Sequence, residues 1–557
     1  MRRKIILASI ISLGLVFFAM TAGVTPDEDV AAQLEQAKNY YESRDYEKAE
    51  QSYQSILNEY SGTDYAFQAQ KGLTMVYIAW DKLTQAESGY EKLLADFSEN
   101  EQITQAAYEI AETYRHNDKF DKSLQVYQDV LDKWPGAEQA IWAQRSIAIS
   151  NIALDKTEAA QAAVDKLLAD YFENANITEA VFNIADTYYW FKHYQKANEH
   201  YQYVLDTWPA AEHAMWAQMG LAISNIADGN DSAAHAATER LITDFNDEPK
   251  LPEALFYIAG RYEWSKKFEQ AKSIYQQISQ QFPDSPQAGE VPFALARINV
   301  LSLIEAGDNK GALMAIDDLI IDFNDRPDLY WVLSRTIAER YYYERAFQLQ
   351  EQGLTDQATD CFQIAATIWE KVIKNKLAHP AEIPHAYYRA GDCYRKLGKY
   401  KKSVDYFQKL INDYPDYDYT GHAQFLIGEC YEKLRNFGAL PESEANPLIE
   451  QAYKLVVERY PDCKAAKYAS LELGRLNFES ERWADAVHYL EISLKKYPEN
   501  QGPHYILYPL LGRAYEKIGK LDLAAQAYRE FIKMSHSGNH RVKAVKLWLE
   551  ELGGYSK

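Results

Sequence analysis

The chain has 557 residues, of which 47% are hydrophobic, and it carries a formal net charge of -22. This apolar content argues against a disordered chain, and the length is ample for a buried core. A chain with this excess of acidic residues lacks the basic surface that is needed to neutralise the phosphates of a nucleic acid. This argues against nucleic acid as a partner.

The first 24 residues differ in kind from the rest. Basic residues at positions 2–4 precede twenty uncharged residues, 5–24, a pattern typical of a signal sequence. Two outcomes stay open: cleavage after Ala22 or Gly23, or retention of the segment as a membrane anchor. Because no cysteine precedes Cys361, a lipid-modified cysteine at the cleavage point is excluded. The sequence predicts an exported protein of the periplasm or cell envelope, with secretion and inner-membrane anchoring both left open.

The chain then repeats at an interval of 37 residues, in three registers. The first register holds small residues: Ala37, Thr74, Ala111, Ala148, Ala185, Ala222 and Ala259. The second lies twelve residues later: Ala49, Ala86, Ser123, Ala160, Ala197, Ala234 and Ala271. The third is aromatic: Tyr60, Phe97, Trp134, Tyr171, Trp208, Phe245 and Phe282. Each unit of a repeat array touches only its neighbours, so the pattern predicts an extended surface rather than a closed catalytic pocket.

One unit, residues 105–137, shows what the registers mean physically. Apolar side chains form one stripe on each of two predicted helices, and a polar turn at residues 117–118 separates them. Small side chains at Ala111 and Ser123 let the two helix backbones approach closely. Trp134 and the following proline end the second helix, since proline cannot continue a helix. The unit is therefore predicted to be a helical hairpin.

The spacing of these residues resembles that of the tetratricopeptide repeat. In that pattern a small residue is followed, after two intervening residues, by tyrosine. Further on, alanine is followed after three intervening residues by tyrosine, and an aromatic residue then precedes a proline. The match is clearest at Ala185, Tyr188, Ala197, Tyr201, Trp208 and Pro209, and at Gly391, Tyr394, Tyr400, Phe407, Tyr414 and Pro415. Further units centre on Val300, Ala346, Gly391, Gly428, Gly474 and Gly512, which gives about thirteen units over most of residues 28–535. The resemblance implies an all-α fold, a right-handed superhelical solenoid of antiparallel helix pairs.

The same resemblance suggests limits for the parts of the chain. We expect an N-terminal array at 28–325, an irregular long-helix repeat at 326–383, a C-terminal array at 384–536, and a capping helix and tail at 537–557. The aromatic residue before the proline, as in Tyr460-Pro461, is similar to arrays of bacterial envelope proteins that assemble the outer membrane or coordinate cell division. This favours a cell-envelope component as partner.

A period of 74 residues lies on top of the first. The segments AFQAQ at 66–70, AIWAQ at 140–144 and AMWAQ at 214–218 are each one pair of units apart. Duplication of repeat pairs is the simplest cause. Odd and even units are therefore expected to present different faces.

Several residues suggest chemistry at first sight. The four cysteines, Cys361, Cys393, Cys430 and Cys463, are expected to pack in the core, with a disulfide left open by the exported location. Absence of a C-x-x-C pair argues against zinc. Aspartates 413, 416 and 418 miss the calcium-loop spacing, and His536 and His540 lie in a turn without a zinc-protease glutamate. The sequence predicts no catalytic residue, no metal and no cofactor.

Function is then expected from the surface. In tetratricopeptide arrays the first helices line the concave face, and ligand contacts come mainly from five offsets around the small residue. Carried onto this chain, those offsets pick out an aromatic groove with a few charges: Tyr108, Glu112, Arg115, Trp142, Arg145, Phe182, Asp186, Tyr189, Trp190, Trp216, Phe256, Trp264, Tyr388, Arg395 and Phe425. Exposed aromatics beside charges are typical of protein interfaces. Core packing between repeats is the alternative for Trp142 and Trp216 above all.

Two functions follow from this surface. The favoured one is a non-enzymatic scaffold of the cell envelope that binds a partner protein or an extended peptide. The alternative is a carbohydrate-binding or carbohydrate-active helical protein that stacks sugars on the same rings. A paired acid and base about 5 to 9.5 Å apart across a pocket, with hydrolysis of a glycan, would favour the alternative.

Overall fold

The computed structural model describes residues 26–326, 328–375, 380–495, 507–535 and 541–553. Within these ranges every element of regular secondary structure is a helix, which confirms the all-α solenoid of paired helices. The described residues fall into two compact units, which divide between Pro292 and Phe293. We call them unit 1 and unit 2. The limits of the parts predicted from the sequence are not tested by this division and stay a prediction.

Unit 1 is a series of helical hairpins, one for each predicted repeat. Its helices are α1 (Pro26–Glu42), α2 (Tyr46–Glu59), α3 (Asp64–Ala79), α4 (Leu83–Asp96), α5 (Ile103–His116), α6 (Phe120–Lys133), α7 (Glu138–Ala153), α8 (Thr157–Tyr171), α9 (Ile177–Trp190), α10 (Tyr194–Thr207), α11 (Ala214–Asp228), α12 (Asp231–Asp244), α13 (Leu251–Trp264) and α14 (Phe268–Gln281). The next helix, α15 (Pro286–Glu305), contains the division. Odd-numbered helices are the first helices of their hairpins.

The turns inside these hairpins share one backbone conformation. The seventh residue after each small register position has a positive φ: Arg44, Asp81, Asp118, Asp155, Lys192, Gly229 and Lys266. A single left-handed residue ends the first helix and lets the second begin within a few residues. Only Gly229 adopts this conformation without a Cβ penalty. The turn geometry is therefore periodic although the side chains at the turn are not.

The two small registers lie at the centre of the helix packing. All members of both registers are fully buried. The rings of Tyr114 and Tyr127 are buried and fill the space that remains between neighbouring helices. The aromatic register caps the second helices, as Trp134 caps α6, except that α8 includes its aromatic residue, Tyr171, as its last residue. Small residues let the backbones approach, and the large rings fill the space that remains.

The glutamine that closes each 74-residue motif has a structural role. Gln70, Gln144 and Gln218 are buried, and each donates Nε2 to a backbone carbonyl of the following helix. The acceptors are the carbonyls of Gly89, Ala163 and Ala237, at 2.9, 2.8 and 2.8 Å. A buried amide needs such a partner. The motif therefore joins the two helices of even hairpins and needs no ligand to explain it.

Unit 2 continues with longer and less regular helices. After α15 its helices are α16 (Asn309–Asp322), α17 (Leu329–Trp331), a π-helical segment (Val332–Glu344), α18 (Arg345–Glu351), α19 (Thr355–Lys374), α20 (Glu382–Lys396), α21 (Tyr400–Asp413), α22 (Thr420–Asn436), α23 (Glu442–Arg459), α24 (Ala466–Glu479), α25 (Trp483–Lys495), α26 (Leu507–Lys517), α27 (Leu521–Met534) and α28 (Arg541–Glu551). The π-helical segment packs on α19, where the buried indole of Trp369 donates Nε1 to Ser334 Oγ at 3.3 Å.

The last helix covers the last hairpin. Val545 of α28 is buried in the same cluster as Tyr528 and Phe531 of α27. Trp548 lies with its ring centroid 5.8 Å from that of Tyr528, and the guanidinium of Arg513 lies 4.8 Å from the centroid of the Trp548 ring. An amphipathic helix in this place shields apolar surface that a further repeat would otherwise cover.

The leader predicted at residues 1–24 lies outside the described residues. Across the ranges that are described, no helix combines the length and the apolar character needed to cross a membrane.

Replacing Gly220 by alanine tests the close approach of helices in unit 1. A Cβ at Gly220 of α11 would lie 2.5 Å from two ring carbons of Tyr201 in α10, so the ring must move. We expect the free energy of unfolding to fall by about 1–2 kcal/mol, because overpacking outweighs the gain in helix propensity. The measurement is urea unfolding followed by circular dichroism.

The matched control is Gly289→Ala in α15, where no atom lies within 4 Å of the new Cβ. This variant is expected to be neutral or slightly stabilised. Equal midpoints for Gly220→Ala and the wild type would contradict the packing described for α10 and α11.

Candidate protein-binding face

The first helices of unit 1 form a continuous row. Helices α1, α3, α5, α7, α9 and α11 each contact the next first helix as well as their own partner, and α13 ends the row. We call the outward surface of this row the first-helix face. Every site residue predicted between Tyr108 and Trp264 belongs to a helix of this row.

The structure exposes some predicted residues and buries others. Trp190 and Trp264 are 68% and 58% exposed. A further group is partly exposed: Tyr108, Glu112, Arg115, Trp142, Arg145, Phe182, Asp186, Trp216, Phe256, Arg395 and Phe425. The expectation of an exposed ring is wrong for Tyr189 and Tyr388, which are 5% and 7% exposed. Neighbouring side chains cover these two rings. Tyr189 contacts the rings of Trp190 and Tyr194, and Tyr388 contacts those of Phe407, Tyr419 and His422.

A first group of predicted residues forms a hydrogen-bonded cluster around Glu112. Its Oε1 accepts from the hydroxyls of Tyr127 and Ser146 at 2.5 and 2.8 Å, and its Oε2 accepts from Arg115 at 2.5 Å. Arg145 donates to the Tyr108 hydroxyl at 3.0 Å. Burial alone would raise the pKa of Glu112. The hydrogen bonds from Arg115, Tyr127 and Ser146, with the charge of Arg115, outweigh burial and lower that pKa from its ordinary 4.5 to about 2. The cluster ties α5, α6 and α7 together.

The equivalent carboxylate two repeats later has a different environment. Asp186 takes the place of Glu112, and Tyr189 takes the place of Arg115. Asp186 accepts a hydrogen bond from the Tyr201 hydroxyl. Among the described residues it forms no ion pair, and burial raises its pKa although the Tyr201 bond opposes that shift. Arg261 lies over the Tyr189 ring, 5.5 Å from its centroid.

An apolar cleft lies farther along the first-helix face. Its volume is about 360 Å³, and it is lined by Trp216, Met219, Glu253, Phe256, Tyr257 and Gln287. Trp216 and Phe256 are predicted site residues, so for these two the cleft favours a surface role over core packing. Tyr257, 45% exposed, is absent from the prediction. It lies two residues before Ala259, an offset that the family pattern does not include.

A second cleft, of about 580 Å³, lies at the start of the row. Its apolar lining comes mainly from α1 and α3 and includes Leu34, Tyr41, Tyr65 and Met75. Three of these four side chains occupy the offsets that were used for the later repeats. The predicted site begins at Tyr108 and therefore does not include them.

In unit 2 each of the three predicted site residues contacts side chains of the same unit. Arg395 pairs with Asp392 at 2.7 Å and with Glu429 at 3.5 Å. The hydroxyl of Tyr388 and Nδ1 of His422 form a 2.6 Å hydrogen bond, and the Phe425 ring stacks on His422. Burial lowers the pKa of His422. These contacts stabilise the packing of α20 on α22.

The cysteines, aspartates and histidines of the sequence raise the question of a disulfide or a metal site. The four cysteines are free; Cys361, Cys393 and Cys430 are buried, as expected for core packing. The side chains of Asp413, Asp416 and Asp418 are exposed near the end of α21 and in the turn that follows it. In the ranges that the structure describes, no group of three or more histidine, cysteine or acidic side chains converges. His536 and His540 lie outside those ranges.

The Glu112 cluster predicts a pH dependence of stability. A carboxylate whose folded pKa is lowered stabilises the fold above its unfolded pKa, and this contribution is lost as pH falls from about 4.5 towards 2. We expect Glu112→Gln to reduce stability at pH 7 by roughly 1–3 kcal/mol and to flatten the acid side of the profile. Urea midpoints at pH 7 and pH 3 measure both effects.

Glu158→Gln is the control, because it removes an exposed carboxylate from α8. It should leave both midpoints unchanged. A Glu112→Gln variant whose midpoint falls with acid as steeply as that of the wild type would contradict the role given to this cluster.

Comparisons with known proteins agree with the hairpin architecture. Models of the tetratricopeptide repeat match residues 31–63, 105–137, 253–285, 385–417 and 471–538. A search of curated proteins found no match.

Solved structures with similarity to this chain were also found. The complex of Naa15/Naa10 bound to HypK-THB is 13% identical, covers 94% of this chain and 78% of that chain, and has a TM-score of 0.29. A tetratricopeptide repeat protein from Parabacteroides merdae is 16% identical over 48% of this chain and 92% of that chain, with a TM-score of 0.27. PilW, a type IV pilus biogenesis factor, is 16% identical over 42% of this chain and 99% of that chain, with a TM-score of 0.27.

The matches to the two models of the tetratricopeptide repeat coincide with helical hairpins in both units, wherever the structure describes the matched residues. The chain is a tetratricopeptide-repeat protein.

Proposed function

We propose that the protein is a non-enzymatic scaffold of the cell envelope, which binds a partner protein through the first-helix face of unit 1. The observation that supports this most is the combination of the exposed Trp190 and Trp264 with the apolar cleft beside Trp216 and Phe256. Large aromatic side chains around a desolvated cleft are the usual anchors of a protein interface.

The row of first helices favours a partner that is extended. Packed helices lie about 8–10 Å apart, so a ligand that reaches several of them must span tens of ångströms. An extended peptide covers about 3.3 Å per residue and can follow such a row continuously. A single small molecule would occupy only one cleft. The partner is therefore proposed to present a peptide segment to this face.

The envelope location rests on residues 1–24, whose basic start and apolar run are typical of an export signal. Fractionation of cells that produce the intact chain, compared with a chain lacking residues 1–24, tests it. Recovery of the intact chain with periplasmic or membrane markers is expected. Recovery of both forms with cytosolic markers would contradict the proposed location.

Alanine substitutions in the cleft test the proposed face. Trp216→Ala and Phe256→Ala each remove a ring that lines the cleft, and we expect each to weaken partner binding by at least about 2 kcal/mol, as at an interface hot spot. The partner is first identified by photo-cross-linking from position 257 in intact cells. Binding is then measured with the purified partner by calorimetry.

The control is Phe172→Ala, which removes an exposed ring that follows α8 and lies against Trp208, away from the cleft. Its binding is expected to equal that of the wild type. Unchanged affinity in both cleft variants, with unchanged circular dichroism, would reject the first-helix face as the binding surface. Hydrolysis of a glycan by the intact chain would favour the carbohydrate alternative.

A further inference from the structure

Two equivalent carboxylates of the first-helix face differ in their charge pairing. Glu112 and Asp186 are two repeats apart, and each accepts a hydrogen bond from a tyrosine of the following helix, Tyr127 and Tyr201. Arg115 completes the charge pairing at Glu112. Tyr189 replaces that arginine in the later repeat, and among the described residues Asp186 takes part in no ion pair. A carboxylate partly removed from water favours a positive charge beside it.

Two aromatic residues flank Asp186 along α9. Phe182 precedes it by four residues and Trp190 follows it by four, so all three lie on one face of the helix. Phe182 is partly exposed and Trp190 is mostly exposed. Aromatic faces attract cations through the ring quadrupole. A basic side chain above Asp186 would therefore meet a carboxylate and two rings together.

Two cations of α13 and its N-terminal cap lie over aromatic rings of this face. Arg261 lies over the Tyr189 ring rather than on Asp186. Lys250 lies over the Trp216 ring, 5.8 Å from its centroid, at the cleft. Asp186 itself has partial access to solvent. No cation among the described residues pairs with Asp186, so a bound partner can supply one.

The apolar cleft lies at a fixed distance from this carboxylate along the row. Asp186 belongs to α9, and the cleft is lined mainly by α11 and α13. With first helices about 8–10 Å apart, the middle of the cleft lies roughly 12–15 Å from α9. Extended chain rises about 3.3 Å per residue, so four residues cover that distance.

We propose that the partner segment is an extended peptide with a lysine or arginine that pairs with Asp186, and a large apolar residue four positions away that enters the cleft lined by Trp216 and Phe256. This inference rests on the proposed function, because it specifies which partner chemistry the same face accepts. The overall negative charge of the chain, -22, adds a general attraction for a basic segment.

Selection from random peptides tests the proposal even before the partner has been identified. Twelve-residue peptides displayed on phage are selected on the full chain, with the Trp216→Ala, Phe256→Ala double variant used to remove peptides that bind elsewhere. We expect selected peptides to carry lysine or arginine four positions from a large apolar residue, in either order. A synthetic version of one such peptide is then titrated by fluorescence anisotropy.

Asp186→Asn keeps the shape of the side chain and removes its charge. Loss of a charge-assisted pair is expected to weaken binding of the selected peptide roughly 10- to 100-fold. Glu158→Gln, which removes one exposed carboxylate from α8, is expected to leave the affinity unchanged. Asp186→Lys is expected to prefer the same peptide with glutamate in place of its basic residue.

The outcomes separate the two proposals. Selected peptides without a basic preference, or equal affinity for wild type and Asp186→Asn, would overturn the basic-residue inference and leave the binding face intact. Selection of no peptide at all would contradict both the inference and the proposed function. If the chain forms a dimer and a selected peptide abolishes that dimer, the face binds a second copy of the chain, and the inference is overturned as well.

Discussion

The close approach of helix backbones at the small registers is the constraint on which the rest of the structure depends. Ala111 and Ser123 stand for positions that are fully buried in every repeat of unit 1. With these side chains small, a ring such as Tyr127 fills the remaining space and one hairpin packs on the next. The repeat interval then sets which helix each position belongs to and where along that helix it lies. The row of first helices, and any face that it presents, follows from that packing.

Much of the fold could be predicted from the sequence because periodic burial leaves a periodic pattern. The registers that begin at Ala37 and Ala49 gave the hairpins and their order, and the aromatic register located the ends of the second helices. The turn conformation left no such pattern, since Asp118, Lys192 and Gly229 share a positive φ but no side-chain chemistry. Backbone geometry imposed by packing therefore recurs between repeats more strictly than the residues that adopt it.

The candidate site was harder to predict, because an offset within a repeat does not determine exposure. Trp190 and Tyr189 are adjacent and both fit the family pattern, yet one ring is exposed and the other is buried between helices. The charge environment is equally local. Glu112 has a cation because residue 115 is arginine, whereas Asp186 has none among the described residues because residue 189 is tyrosine. Such differences between otherwise equivalent repeats give a repetitive surface its specificity.

Hydroxyl-radical footprinting of the full chain, with and without its bound partner segment, is the most direct test of whether the partner binds the first-helix face. Oxidation of Trp190, Trp216 and Met219 is expected to slow on binding, since these side chains belong to the first-helix face. Trp208, which caps the second helix α10, should oxidise at an unchanged rate. Protection of Trp208 and of second-helix residues, with Trp190 and Trp216 unaffected, would contradict binding at this face.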